Sequence, residues 1–491
     1  MEERIILQHI HKMSEEHPDK ECILERNCVI TYRQHWNAIN GYASLLMSKG
    51  IQTGTRVAIA AEQTSFFLIA VSALHLIGAV VIPLEKNLSD VRISELMLRM
   101  KSVWLIGRMN ISVKDINLLD ISESGIYLDK EVQEQVHRFP EQGSLADILF
   151  TTGTTGEPKG IEVTHLTNKA IAENVIDSVN LLEDDIELIP TPINHSLGLR
   201  RYYGAMYRGS TIGIIDGVIY AEDFFDMLKK YRMTAITLVP AMLSILLKFS
   251  GEKLGELNKQ LRFIQLGSAP ITETERNELR RLLPDVRLYN TYGATEAGCT
   301  CIFDFSQDHD KMFCIGRPTV NTTVSFVDEV GTVIDATREH LGCMVFEGPM
   351  NMKGYWQEPE LTKKILRDGK IYTNDIGYRG EDGNIYLLGR KDDVINSGGN
   401  KIAPLEIEEI MLNNEKIAEC VCVPVEDQVV GQIPKLYVVM KRGEVFSRQE
   451  IMTYLTERLE FFKVPKLVEE LDVLPRAYNG KILRKELRGV K

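Results

Sequence analysis

Long uninterrupted apolar runs are missing from this 491-residue sequence. The most apolar stretch, 66–84, is broken by Ser72, His75 and Pro83 and falls short of the ~20 continuous apolar residues a membrane-spanning helix needs. It reads instead as a buried helix running into a buried strand. Runs of Lys and Arg are also missing, and the formal net charge is −12, so there is no broad cationic footprint for nucleic acid. An anionic small molecule must be met by a few placed cations. Cysteine is sparse, with eight in the chain. The closest pairs, Cys299/Cys301 and Cys420/Cys422, have no second Cys or His pair at zinc spacing, which favours buried or free thiols over metal ligands. The opening MEERIILQHIHKMSEEH is acidic from the start and lacks an apolar core followed by a small-residue cleavage site. No secretory leader is expected, and the cytoplasm is the expected compartment.

What remains is the composition of a globular enzyme, 44% hydrophobic and 26% charged, in a chain long enough for two or more domains. CILER and CVITY flank a polar turn and predict a hairpin. Thr31 with Gln34 predicts a capping box that opens a helix ending near Gly50. RVAIA, AVVIPL, WLIG, ADILFT, TIGII, AITLV, RFIQLG and RLYNTYG then alternate with helical stretches such as 164–178 and 221–230. That rhythm predicts βα units and a largely parallel sheet. From about Thr322 the segments TTVSFVD, CMVFEG, KIYTNDIGY and NIYLLGR are β-rich and punctuated by Gly, Asp and Asn, which suggests a small antiparallel unit. After Arg390 come an amphipathic helix in LEIEEIMLN, strands in ECVCVPV and LYVVMKR, and a helix over 447–459. These predict a small α+β domain over the last hundred or so residues.

The segment 151–160, TTGTTGEPKG, follows the apolar strand ADILF with three glycines, four threonines and one lysine in ten residues. Glycine lets backbone N–H groups approach an anion, threonine hydroxyls add donors, and Lys159 adds a point charge, a combination suited to a polyphosphate. It is not a Walker A loop, because the lysine is followed by Gly160 rather than Ser or Thr.

This loop resembles the signature loop of the adenylate-forming superfamily, which includes acyl-CoA synthetases, aryl and fatty acid ligases, nonribosomal-peptide adenylation domains and luciferases. Five further segments match in order across nearly the whole chain, and the AMP-forming acyl-CoA synthetases are the most similar branch. The resemblance implies an α/β N-terminal adenylate-forming domain, 1–390, built of βα subdomains plus a small β-rich subdomain, and a mobile α+β C-terminal domain, 391–491. It also assigns roles. Thr151, Thr152, Gly153, Thr154, Thr155, Gly156 and Lys159 would grip ATP phosphates. In RLYNTYGATEAG, Asn290, Thr291, Tyr292 and Gly293 would border the nucleotide, with Tyr292 stacked near adenine, Thr295 on the α-phosphate and Glu296 on Mg²⁺. Gly267, Ser268 and Ala269 would pack against the adenine and the acyl pocket.

Asp375 would accept hydrogen bonds from the ribose hydroxyls, Arg390 would add a ribose or phosphate contact, and Asp392 would be the hinge. Gly398, Gly399 and Lys401 match the turn that lines a pantetheine tunnel. Lys481 matches the catalytic lysine between the attacking carboxylate and the α-phosphate, and His195 the gate of the acyl pocket. The implied reaction is ATP-dependent adenylation of a carboxylic acid with release of pyrophosphate, then transfer to a thiol, with CoA the expected acceptor. The alternatives are loading of an acyl or peptidyl carrier protein, and a catalytically silent nucleotide-binding regulator. No aspartate follows the gate before Asp216, which favours a fatty, aryl or other non-amino acid. Arg200 and Arg201 are either partners for a second substrate carboxylate or a solvated pair.

Overall fold

The computed structural model describes residues 5–111, 115–130, 138–151, 158–307, 311–476 and 482–488, with Thr151 described as backbone only. The expected loop residues Thr152, Gly153, Thr154, Thr155 and Gly156, and the expected catalytic Lys481, lie outside these described residues.

The predicted capping box forms: Gln34 donates its backbone N–H to Thr31 Oγ1 at 3.3 Å while its own Oε1 accepts from the Thr31 N–H at 3.0 Å. The helix Tyr32–Ser48 that follows buries Trp36, Ile39, Ala43 and Leu46 on one face. The apolar stretch resolves into helix Ser65–Leu76, buried along nearly its whole length, and strand Val80–Leu84, buried at every position.

The expectation of one largely parallel sheet is replaced by two sheets. The seven-stranded sheet among the described residues has a parallel centre, in which Arg56–Ala60 lies between Val80–Leu84 and Trp104–Ile106. Strand Leu145–Thr151 joins its edge, and Lys159–Thr164 returns antiparallel beside it. Thr151 and Lys159, at the described ends of the phosphate-loop segment, are therefore paired across two antiparallel strands. The second sheet has fifteen strands among the described residues. Its parallel half runs through Thr211–Ile214, Ile186–Ile189, Ala235–Leu238, Phe263–Gly267 and Arg287–Ala294. It turns antiparallel at Gly298–Asp304 and continues through the β-rich region, so the switch falls earlier than Thr322. GCTCIFD is buried at five of its seven positions, and a strand covered on both faces has the same pattern in either orientation.

A third, five-stranded sheet holds Ile395–Ser397, Asn400–Ile402, Ile417–Asp427, Gly431–Met440 and Leu467–Glu470, flanked by helices Pro404–Leu412 and Arg448–Thr456. Ile395, Ile407, Met411, Cys422, Leu436 and Leu455 form a core of its own here. The fold is thus α/β, a large N-terminal part followed by a small C-terminal one. The parallel strands Phe263–Gly267 and Arg287–Ala294 end side by side, with Gly267 paired to Thr291, and the turns beyond them carry many of the candidate residues. No helix among the described residues is long and apolar enough to cross a membrane.

Candidate functional site

Strand Arg287–Ala294 brings Asn290, Thr291, Tyr292 and Gly293 to one sheet end, and a register shift between Tyr292 and Gly293 bends the chain into the turn holding Thr295 and Glu296. Only glycine fits at 293, because a Cβ there would lie 2.0 Å from the Gly298 carbonyl oxygen. On the neighbouring strand Gly267 ends a buried run, and Ser268 continues with φ of 74°, a left-handed conformation rare for a residue with a side chain. Ser268 and Ala269 stand exposed at the mouth. Gln265, one turn of the pleat below, donates to Thr291 Oγ1 at 2.6 Å and ties the two strand ends together.

Helix Ser196–Arg208 stands over these strand ends and overturns the solvated-pair reading of its two arginines, since both are buried. Arg201 meets Glu187 through Nε–Oε1 at 2.7 Å and Nη2–Oε2 at 2.5 Å, and donates to Gln265 at 2.7 Å. Its charge is fully engaged inside the protein. Arg200 donates to the Thr295 carbonyl at 2.7 Å, the Ala294 carbonyl at 3.3 Å and Ser196 Oγ at 3.2 Å. Burial away from water lowers its pKa to about 10, which leaves it charged at neutral pH. Both arginines line a cavity of about 230 Å³ with Ser196, Gln265, Ser268 and Thr295, and among the described residues no Asp or Glu lines it.

Glu296 accepts a hydrogen bond on Oε1 from the Tyr355 hydroxyl at 2.8 Å, and its backbone carbonyl accepts from Met352 N–H at 2.7 Å. The ammonium of Lys159 stands 5.7 Å from the centroid of the same Tyr355 ring. The end of the phosphate-loop segment and the candidate metal ligand therefore meet on one aromatic side chain. Across the site, the half-buried Tyr292 donates its hydroxyl to Asp375 at 2.5 Å, and Asp375 lies opposite Arg390 in the ladder with Oδ1 3.8 Å from its Nε. Burial, reinforced by the Asp375 charge, raises the Tyr292 phenol well above its usual range, so it remains a donor.

The remaining candidates make other contacts. His195 is the N-cap residue of the helix Ser196–Arg208, and its Nε2 pairs with Glu85 at 3.2 Å. Gly398 and Gly399 form a left-handed turn with φ of 56° and 88°, and Lys401 beyond it lies 3.7 Å from Glu329. Gly399 and Lys401 line a separate cleft of about 1380 Å³, between the β-rich region and the C-terminal part. Asp392, the candidate hinge, accepts from Arg488 on its backbone carbonyl at 2.6 Å. Sequence reasoning missed Tyr355, Gln265 and the loop-holding role of Arg200. Their signal is cross-strand and cross-sheet pairing, which no local motif carries.

A family model described as AMP-binding enzyme matches residues 10–356, and one described as AMP-binding enzyme C-terminal domain matches residues 406–481. A 2-succinylbenzoate–CoA ligase of Bacillus thuringiensis subsp. konkukian is 30% identical over 479 residues, 96% of this chain and 95% of that one. Among solved structures, the o-succinylbenzoate CoA synthetase MenE of Bacillus subtilis, in complex with the acyl-adenylate intermediate OSB-AMP, superposes with a TM-score of 0.85 at 24% identity, over 98% of each chain. ATP-bound MatB of Rhodopseudomonas palustris gives 0.87 at 23% identity, again over 98% of each chain. MenE has also been solved with ATP and a magnesium ion.

Proposed function

The chain belongs to the AMP-binding enzyme family and is an adenylate-forming acid–CoA ligase, and from that premise we propose how its own residues divide the work. ATP would lie across the ends of Phe263–Gly267 and Arg287–Ala294. Asp375 and Arg390 would face the ribose, Tyr292 the base, Thr295 the α-phosphate, and Lys159 with Thr151, Thr152, Gly153, Thr154, Thr155 and Gly156 the departing phosphates. The carboxylate attacks the α-phosphorus in line, the bond to the pyrophosphate oxygen breaks, and pyrophosphate leaves. A thiol then attacks the acyl carbon of the mixed anhydride and AMP leaves. No protein nucleophile is needed, so the protein acts by positioning and charge neutralisation.

Glu296 suits Mg²⁺, because Tyr355 occupies Oε1 while Oε2 has no hydrogen-bond partner among the described residues, and the ion prefers hard oxygen ligands. When bound, Mg²⁺ would neutralise phosphate charge. We assign Lys481 as the cation between the two anions, the division of the chain at Arg390, Asp392 as the hinge, and Gly398, Gly399 and Lys401 as the turn that guides the pantetheine thiol of CoA. His195 would border the acyl pocket.

The observation that supports this reading is the meeting of Lys159 and Glu296 on Tyr355, as expected of a phosphate cation and a metal carboxylate serving one polyphosphate. The cavity lined by Arg200 and Arg201 without a carboxylate supports an acid that has no ammonium group, since nothing there would receive one. The 2-succinylbenzoate ligases named above act on such an acid. The test is acid-dependent ATP–pyrophosphate exchange over fatty, aryl, dicarboxylic and amino acids, followed by CoA and carrier-protein acceptors. Exchange with a non-amino acid and thioester formation with CoA are the expected results. Exchange restricted to amino acids, or thioester formation on a carrier alone, would reject it.

A further inference from the structure

Tyr355 has no role in the reaction as drawn, yet it is the side chain on which two separate parts of the site converge. It lies in the short strand Gly354–Tyr355, which pairs antiparallel with Lys159–Thr164, Tyr355 opposite Ile161. The segment around it is stitched to both partners. Trp356 N–H donates to the Gly160 carbonyl at 2.8 Å and Lys353 N–H to the Glu162 carbonyl at 2.9 Å, while Met352 N–H holds the Glu296 carbonyl. Tyr355 N–H is itself fixed on Thr362 Oγ1 at 2.9 Å. The ring is buried, 7% exposed, so its hydroxyl has a single direction.

We propose that Tyr355 is a positioning residue that holds the Glu296 carboxylate with Oε1 engaged and Oε2 presented to the divalent cation, while its ring face holds the Lys159 ammonium on the same phosphates. The inference rests on the reading of Glu296 as the metal ligand. A carboxylate on a flexible side chain can turn either oxygen, or both, to an ion. With Oε1 spent on a phenol donor it contributes one oxygen in one orientation, which suits the strict octahedral demand of Mg²⁺. The ring does separate work: an ammonium over an aromatic face keeps its charge and is steered without being neutralised. One residue therefore sets both charges that must face the departing pyrophosphate, and it does so from a strand rather than a loop.

The experiment titrates Mn²⁺ by electron paramagnetic resonance into the full-length enzyme saturated with a non-hydrolysable ATP analogue, so it reads metal binding without turnover and without knowledge of the acid. Tyr355→Phe keeps the ring and removes the donor. It should weaken Mn²⁺ binding about tenfold, the loss expected for a hydrogen bond to a charged group, while metal-free analogue affinity stays within about twofold. In a Glu296→Gln background the same substitution should have no further effect on Mn²⁺, because its target is gone. Unchanged Mn²⁺ affinity in Tyr355→Phe, or equal losses in both backgrounds, overturns the positioning role. Absence of analogue-dependent Mn²⁺ binding in the unmodified enzyme overturns instead the reading of Glu296 on which it rests.

Discussion

His165 begins the helix His165–Val179 after the strand Lys159–Thr164, buried against His75, with Nε2 unpaired among the described residues. Burial, with a smaller contribution from His75, pulls its pKa down to about 3. His35, buried with Nε2 on the Tyr202 hydroxyl, is also held near 3 by burial. In the unfolded chain both protonate near the ordinary 6.5, so the folded state binds fewer protons wherever the pH lies between the two values. Their contribution to stability is whole above 6.5 and is lost progressively as pH falls from 6.5 toward 3. At pH 5 each costs about 2 kcal/mol relative to neutral pH. Urea titrations should show the unfolding free energy dropping between pH 7 and pH 5, and His165→Gln, which cannot titrate, should make that drop about 2 kcal/mol smaller. An unchanged pH dependence in that variant would show that His165 opens to water before the protein unfolds.

Helix Ser196–Arg208 works as a staple through consecutive arginines that point to different partners. Arg201 ties it to the strand Ile186–Ile189 through Glu187, and through Gln265 to Thr291, while Arg200 ties it to the loop that carries Thr295. Thr237 also donates to Glu187 at 2.6 Å, so the carboxylate is fully satisfied. Removing one partner leaves a buried charge without compensation. Glu187→Leu alone should therefore cost about 3–5 kcal/mol in urea unfolding, and Glu187→Leu with Arg201→Met should regain more than half of it. A double variant less stable than the single one would mean that the pair adds net stability over an apolar core. The helix boundaries were legible in sequence because they are local: 221–230 coincides with the helix Ala221–Lys230, and Thr31 with Gln34 forms the box it spelled. The strands ADILFT and RLYNTYG were legible for the same reason. The staple was not, because Arg200 and Arg201 find their partners outside the helix 14 to 95 residues away, at distances that only folding decides. The division into two sheets was hidden likewise, since apolar strands give no hint of which neighbour they choose.

The whole molecule must run two reactions, adenylation and thiol attack, and its C-terminal part is a separately packed body. Among the described residues it has its own five-stranded sheet and its own core, and a partly buried ion pair between Glu408 and Arg484 fixes the short helix Arg484–Leu487 to its body. Four residues on, Arg488 binds the backbone of Asp392 and the carboxylate of Asp393, so the segment just beyond Lys481 is fastened to the candidate hinge. A lysine carried on such a body can be delivered to the α-phosphate for the first reaction and withdrawn for the second, when the turn with Gly398 and Gly399 would take its place. The charge it supplies matters only while carboxylate and triphosphate repel each other. Lys481→Ala should therefore lower acid-dependent pyrophosphate exchange on the order of a hundredfold or more, the scale of losing one electrostatic contact to a transition state. Thioester formation from supplied acyl-adenylate should fall by less than about threefold, because that step lacks the repulsion and, on the proposed hinge motion, would proceed with Lys481 withdrawn. Equal losses in the two half-reactions would place Lys481 in the shared binding of the adenylate rather than in the first chemical step.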